Sequence, residues 1–125
     1  MIVNLYAAWV GFLLGCIGGA VPGLFLHGSD WLGGYTSWPR RMIRLAHVAF
    51  FGIGLLNLSF ALSARSLAID TGLRVPSVLL LIGAAAMPAV CYLSAWKSSF
   101  RHLFFIPAAS ITLAITLFVW RLFAL

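Results

Sequence analysis

Hydrophobic residues run along the chain in four long stretches that short polar segments separate. The four predicted spans cover residues 2–26, 39–64, 76–96 and 100–122. A helix needs roughly 20 apolar residues to cross about 30 Å of hydrocarbon, so each stretch is long enough. None alternates between apolar and polar residues as a strand does, and a helix satisfies its own backbone groups in lipid. The pattern predicts an all-α integral membrane protein, with four transmembrane helices in an up-and-down bundle.

Composition agrees with this interpretation and limits the domain count. The chain has 125 residues, of which 63% are hydrophobic and 8% charged, and its mean hydropathy is +1.09. Soluble domains are nearer to half apolar and a quarter charged. We therefore expect one transmembrane domain over residues 1–125. The first span is expected to remain in the mature protein, because no basic residue precedes it and its apolar run is too long for a signal peptide.

The net charge of +6 comes from basic residues that each lie beside an apolar run. That distribution is typical of membrane topology signals, and it does not favour binding to nucleic acid. Five basic residues follow the first and third spans, and three lie on the opposite side. The two groups are Arg40, Arg41, Arg44, Lys97 and Arg101 against Arg65, Arg74 and Arg121. The positive-inside rule then places both termini outside, and we expect a bacterial inner (cytoplasmic) membrane.

Residues that favour close helix packing are concentrated in the first span. Gly11, Gly15, Gly19 and Gly23 repeat at steps of four and form three overlapping GxxxG motifs on one helix face. Such a face lets another helix approach closely, either within this chain or from a second one. Asn57 lies near the middle of the second span, where its amide needs a hydrogen-bond partner. We expect a bond to a neighbouring helix, with a ligand contact as the weaker alternative.

The histidines are the only candidates for cofactor chemistry, because both acidic residues lie in loops. An up-and-down bundle places His27, His47 and His102 on the same side of the membrane. His47 could ligate haem b or chlorophyll, with Gly54 leaving room for the edge of the macrocycle, and His102 could be the opposite ligand. Alternatively, these rings simply lie at the interface or bond a neighbouring helix. A zinc or copper site is less favoured, because thiols and carboxylates are missing at matching positions.

The predicted function is that of a small accessory subunit without catalysis of its own. Its expected partners are membrane lipids and other integral membrane subunits of a respiratory or photosynthetic electron-transfer complex. The first alternative is an electron-transfer or pigment subunit that binds haem or chlorophyll through His47. The second is an oligomeric channel or carrier that uses the glycine face. The spans contain no carboxylate of the kind that proton-coupled transporters use, which disfavours transport by this chain alone.

Overall fold

The computed structural model describes residues 1–125 and contains helices without any strand. The four long helices are α1 (Ile2–Phe25), α2 (Trp38–Ser66), α3 (Arg74–Trp96) and α4 (Phe105–Phe123). Short 3-10 helices form at Trp31–Gly33 and Ser98–Phe104. Four helical segments are long and apolar enough to cross a membrane, the last of them including Ser98–Phe104. The predicted all-α architecture with four transmembrane helices is confirmed.

Consecutive helices run antiparallel. Along α1 and α2, the contacts go from Gly19 beside His47 at one end to Asn4 bonded to Asn57 at the other. The contacts of α3 with α2 and with α4 follow the same reversed order. We call the end that carries residues 26–37 and 97–104 the histidine end. The opposite end carries residues 67–73 and both chain termini, and we call it the terminal end.

The two middle helices form the interior and the outer two leave most of their surface open. Buried residues make up 39% and 33% of the apolar windows of α2 and α3, but only 11% and 17% in the first and last spans. Each helix packs mainly on its neighbour in the chain, and α1 and α4 do not form a substantial interface. Phe118 of α4 reaches α2, where its ring lies edge-on to Phe60 at 4.9 Å between centroids. The bundle is therefore open between its first and last helices.

The loop between α2 and α3 closes the terminal end with apolar side chains. Ala68 adopts a left-handed backbone conformation with φ of 51°. The next amide, that of Ile69, then donates to the carbonyl of Ala64 at 2.9 Å and ends α2 in a Schellman motif. This turn directs loop residues into the core, where six buried side chains form one cluster: Phe60, Ala64, Ile69, Leu73, Leu80 and Ala114.

The fourth span is not one continuous α-helix, because it begins with a 3-10 segment. Residues Ser98–Phe104 form a 3-10 helix, and the α-helix begins only at Phe105. Pro107 lies in the first turn of α4 and has no N–H to donate to the carbonyl of Leu103. An α-helical bond from residue 107 to residue 103 is therefore impossible, so the tighter 3-10 turns before Pro107 do not sacrifice it. As a result, His102 lies on the 3-10 segment and not on α4 itself.

Candidate functional site

His47 is held by α1 at the histidine end of the bundle. Its Nδ1 lies 2.8 Å from the carbonyl oxygen of Gly15. A carbonyl oxygen can only accept, so the Nδ1–H group of His47 is the donor in this hydrogen bond, and in the tautomer protonated at Nδ1 the lone pair is on Nε2. The ring also packs directly on Gly19 and meets the Phe51 ring edge-on at 5.4 Å. These contacts fix the orientation of the imidazole.

The glycine face of α1 is what allows this approach. A Cβ added at Gly19 would overlap the His47 ring, and one added at Gly15 would lie 2.6 Å from the Phe51 ring. At Gly11, a Cβ would lie 3.1 Å from a main-chain carbonyl oxygen of α2. A Cβ added at Gly23 would have no atom of another helix within 4 Å. Three of the four glycines therefore face α2, and the fourth lies beyond the contact.

A cavity of about 290 Å³ opens at the histidine end, between α1, the start of α2 and the loop that joins them. The glycine-rich part of α1 forms one wall. The opposite wall and the rim carry aromatic and basic side chains. Those with polar or aromatic groups are His27, Trp31, Tyr35, Arg40, Arg44 and His47. None of the lining residues is Asp or Glu, so the cavity is positively charged.

Two half-buried arginines are oriented by the α1–α2 loop. Arg40 donates from Nη1 to the carbonyl of Gly28 at 3.2 Å, and its guanidinium carbon lies 5.5 Å from the centre of the Trp31 ring. Arg44 donates from Nη1 to the carbonyl of Tyr35 at 2.9 Å. Its guanidinium also stacks on the Tyr35 ring at 4.1 Å. Main-chain carbonyls and π-faces thus position both cations.

The three histidines share one end of the bundle but do not form one cluster. His27 and His47 both line the cavity, whereas His102 lies exposed on the 3-10 helix outside the lining. No group of three or more His, Cys, Asp and Glu side chains is close enough to hold a metal ion. The space beside Gly54 is occupied, because the Phe12 ring and the carbonyl of Ala8 lie against that glycine.

Asn57 belongs to a buried polar network that joins three helices. Its Nδ2 donates to the carbonyls of Ile53 and Leu80, at 3.0 and 3.4 Å, and its Oδ1 accepts from Asn4 Nδ2 at 2.8 Å. Asn4 in turn accepts from the Ser77 hydroxyl at 2.6 Å. The apolar pattern of the first span did not identify Asn4 as the partner of Asn57. A signal was present, because Asn4 and Asn57 are the only asparagines in the chain and both lie inside spans.

We compared the chain with known protein families, curated proteins and solved structures. No family model, curated protein or solved structure matches the chain.

Proposed function

We propose that this chain is a small accessory subunit of a larger complex in the bacterial cytoplasmic membrane, without catalysis of its own. The observation that carries the proposal is the outer face of α4. Ala108, Thr112 and Thr116 repeat at every fourth position there, and all three are exposed. In lipid, small residues at this spacing favour close packing with another helix, because no hydrophobic force drives association and van der Waals contact must do so.

The Thr116 hydroxyl group on this face does not oppose such a contact. Thr116 Oγ1 donates to the carbonyl of Thr112 at 2.9 Å, so its proton is already bonded within the helix. A second helix can then lie against the face without leaving that donor unpaired. Because α4 packs mainly on α3, the whole outer face stays available. The occupant we propose is a transmembrane helix of another subunit.

Co-purification tests this assignment. The tagged full chain is produced at native level in its own host, solubilised in a mild detergent and analysed by mass spectrometry. We expect a stoichiometric integral membrane partner, with the double variant Ala108→Leu/Thr112→Leu reducing its recovery at least tenfold. Ala89→Leu is the matched control, since Ala89 is an exposed alanine on α3. A wild-type chain that is monodisperse and alone would contradict the proposal.

The proposed orientation rests on the basic residues at the two ends. The histidine end carries five of them and the terminal end three, which under the positive-inside rule directs the histidine end to the cytoplasm. Both termini then lie on the periplasmic side.

A second candidate function is electron transfer through a haem b bound at His47. The observation that favours it is the bond from Nδ1 to the Gly15 carbonyl, because ligating histidines commonly donate their other ring N–H in this way. An absorption spectrum of the purified protein after haem addition tests it. A Soret band that His47→Ala removes and His27→Ala retains would support the ligand, whereas a wild-type protein without the band would eliminate this function.

A further inference from the structure

We infer that the cavity at the histidine end is a binding site for a phosphate group at the membrane surface. The inference does not rest on the proposed subunit role or on a haem, since the residues that carry it are Arg40 and Arg44. They lie one helical turn apart on α2 and line the same cavity, together with His27 and His47. With no carboxylate in the lining, an anion is the ligand that this set of groups favours.

The hydrogen-bond inventory of the two guanidiniums leaves donors for such a ligand. Each guanidinium has five N–H groups in a planar fork. Within the chain, Arg40 and Arg44 donate only from Nη1, and their acceptors are main-chain carbonyls. Nε and Nη2 of both side chains therefore remain for the paired N–H···O bonds that a phosphate accepts. The loop carbonyls and the Trp31 and Tyr35 rings hold the guanidiniums in place before the ligand arrives.

The position of the cavity relative to the bilayer suits a phosphate at the membrane surface. It lies where α1 ends and α2 begins, and Trp31 and Tyr35 at its rim are the residue types that mark headgroup level. The lining also includes the apolar side chains of Pro22, Leu26 and Ile43, against which an acyl or glycerol group can lie. A phospholipid can contact both parts of this lining, with its phosphate at the arginines and its glycerol or acyl groups at the apolar side chains. Free phosphate or a small soluble phosphate ester can contact only the basic part.

Binding is measured on the purified full chain in a neutral detergent, without added haem. The probes are phosphatidylglycerol and inorganic phosphate, with diacylglycerol as the phosphate-free lipid, and native mass spectrometry and thermal-shift titration report binding. We expect phosphatidylglycerol to bind and diacylglycerol not to bind. Arg40→Gln/Arg44→Gln should weaken binding at least tenfold. Arg44→Lys keeps the charge but loses the fork, so we expect an intermediate loss.

Arg41→Gln is the matched control, because Arg41 is a neighbouring exposed arginine outside the cavity lining. It should change binding less than twofold. If it weakens binding as much as the double variant does, general charge explains the effect and the site is refuted. The site is also refuted if neither phosphate probe binds. Inorganic phosphate that binds with the same arginine dependence identifies the source as a free phosphate, and lipid-only binding identifies a headgroup. Failure here leaves the subunit proposal intact, since the partner contact is on α4.

Discussion

At the scale of single residues, glycines set the distance between α1 and α2. The rings of His47 and Phe51 occupy the volume that side chains at Gly19 and Gly15 would need. Neither ring can move away at low cost. His47 is bonded to Gly15, and Phe51 stacks on Phe12 with the ring centroids 6.1 Å apart. The contact between α1 and α2 therefore depends on steric fit. A single methyl group added at Gly15 or Gly19 would disrupt it.

We expect Gly15→Ala and Gly19→Ala each to lower the free energy of unfolding by about 1–3 kcal/mol, the usual range for overpacking a close contact. Gly23→Ala is the matched control, because the added Cβ would have no atom of another helix within 4 Å. It should be neutral or stabilising by up to about 1 kcal/mol, the helix-propensity gain of alanine. Unfolding in detergent measures all three. Equal effects at Gly19 and Gly23 would contradict the proposed packing.

The turn after α2 provides a second prediction at this scale. Ala68 holds a φ of 51°, a conformation that costs an alanine about 1–2 kcal/mol per residue and costs glycine little. We expect Ala68→Gly to raise the free energy of unfolding by about 0.5–1 kcal/mol, with the gain reduced by the greater freedom of glycine in the unfolded chain. The same change at exposed Leu67, whose φ is −92°, should not stabilise. A destabilised Ala68→Gly protein would show that the turn is not strained.

At the scale of elements, the asparagine network fixes how α1, α2 and α3 align. A shift of one helix by a turn would separate Asn4 from Asn57 and leave polar groups unpaired in an apolar surrounding. Hydrogen bonds between membrane helices contribute modestly, about 0.6 kcal/mol on average and up to about 1.7. The network therefore acts mainly by specifying how α1, α2 and α3 align, and it contributes less to stability.

A double-mutant cycle tests the coupling between the two asparagines. We expect Asn4→Ala and Asn57→Ala each to destabilise the protein, and the double variant to cost less than their sum by about 0.6–1.7 kcal/mol. The reason is that either single change already leaves the other amide without its partner. Unfolding titrations of the four proteins in detergent provide the cycle. Strictly additive costs would mean that the two side chains do not interact.

At the scale of the whole molecule, orientation decides which membrane surface the basic cavity meets. If the histidine end is cytoplasmic, the cavity faces the anionic lipids that attract basic groups there. Single cysteines test this in a background with Cys16→Ala and Cys91→Ala. We expect a membrane-impermeant maleimide to label Asp70→Cys in intact cells, and Ser29→Cys only after permeabilisation. Both positions are exposed in the structure. The reverse labelling pattern would place the cavity on the outer surface.

The apolar pattern of the sequence determined the fold class and the number of spans. This follows because length and hydropathy alone decide whether a segment can leave water as a helix. The antiparallel succession follows as well, since short loops force each helix to return across the membrane. The antiparallel succession was also enough to predict that the three histidines lie at the same end of the bundle. The glycine spacing likewise marked a surface for close approach, although it could not identify the neighbouring helix.

Only the tertiary structure decided which residues meet. Periodicity gives the face of a helix but not its partner, so Asn4 was not identified as the partner of Asn57. For the same reason, the sequence did not indicate that Arg40, Arg44 and His47 share one cavity while His102 stays outside it. The cavity depends on the path of the loop at residues 26–37, whose carbonyls and rings orient the guanidiniums. Contacts between segments distant along the chain depend on three-dimensional packing, and a one-dimensional pattern of apolar residues does not contain it.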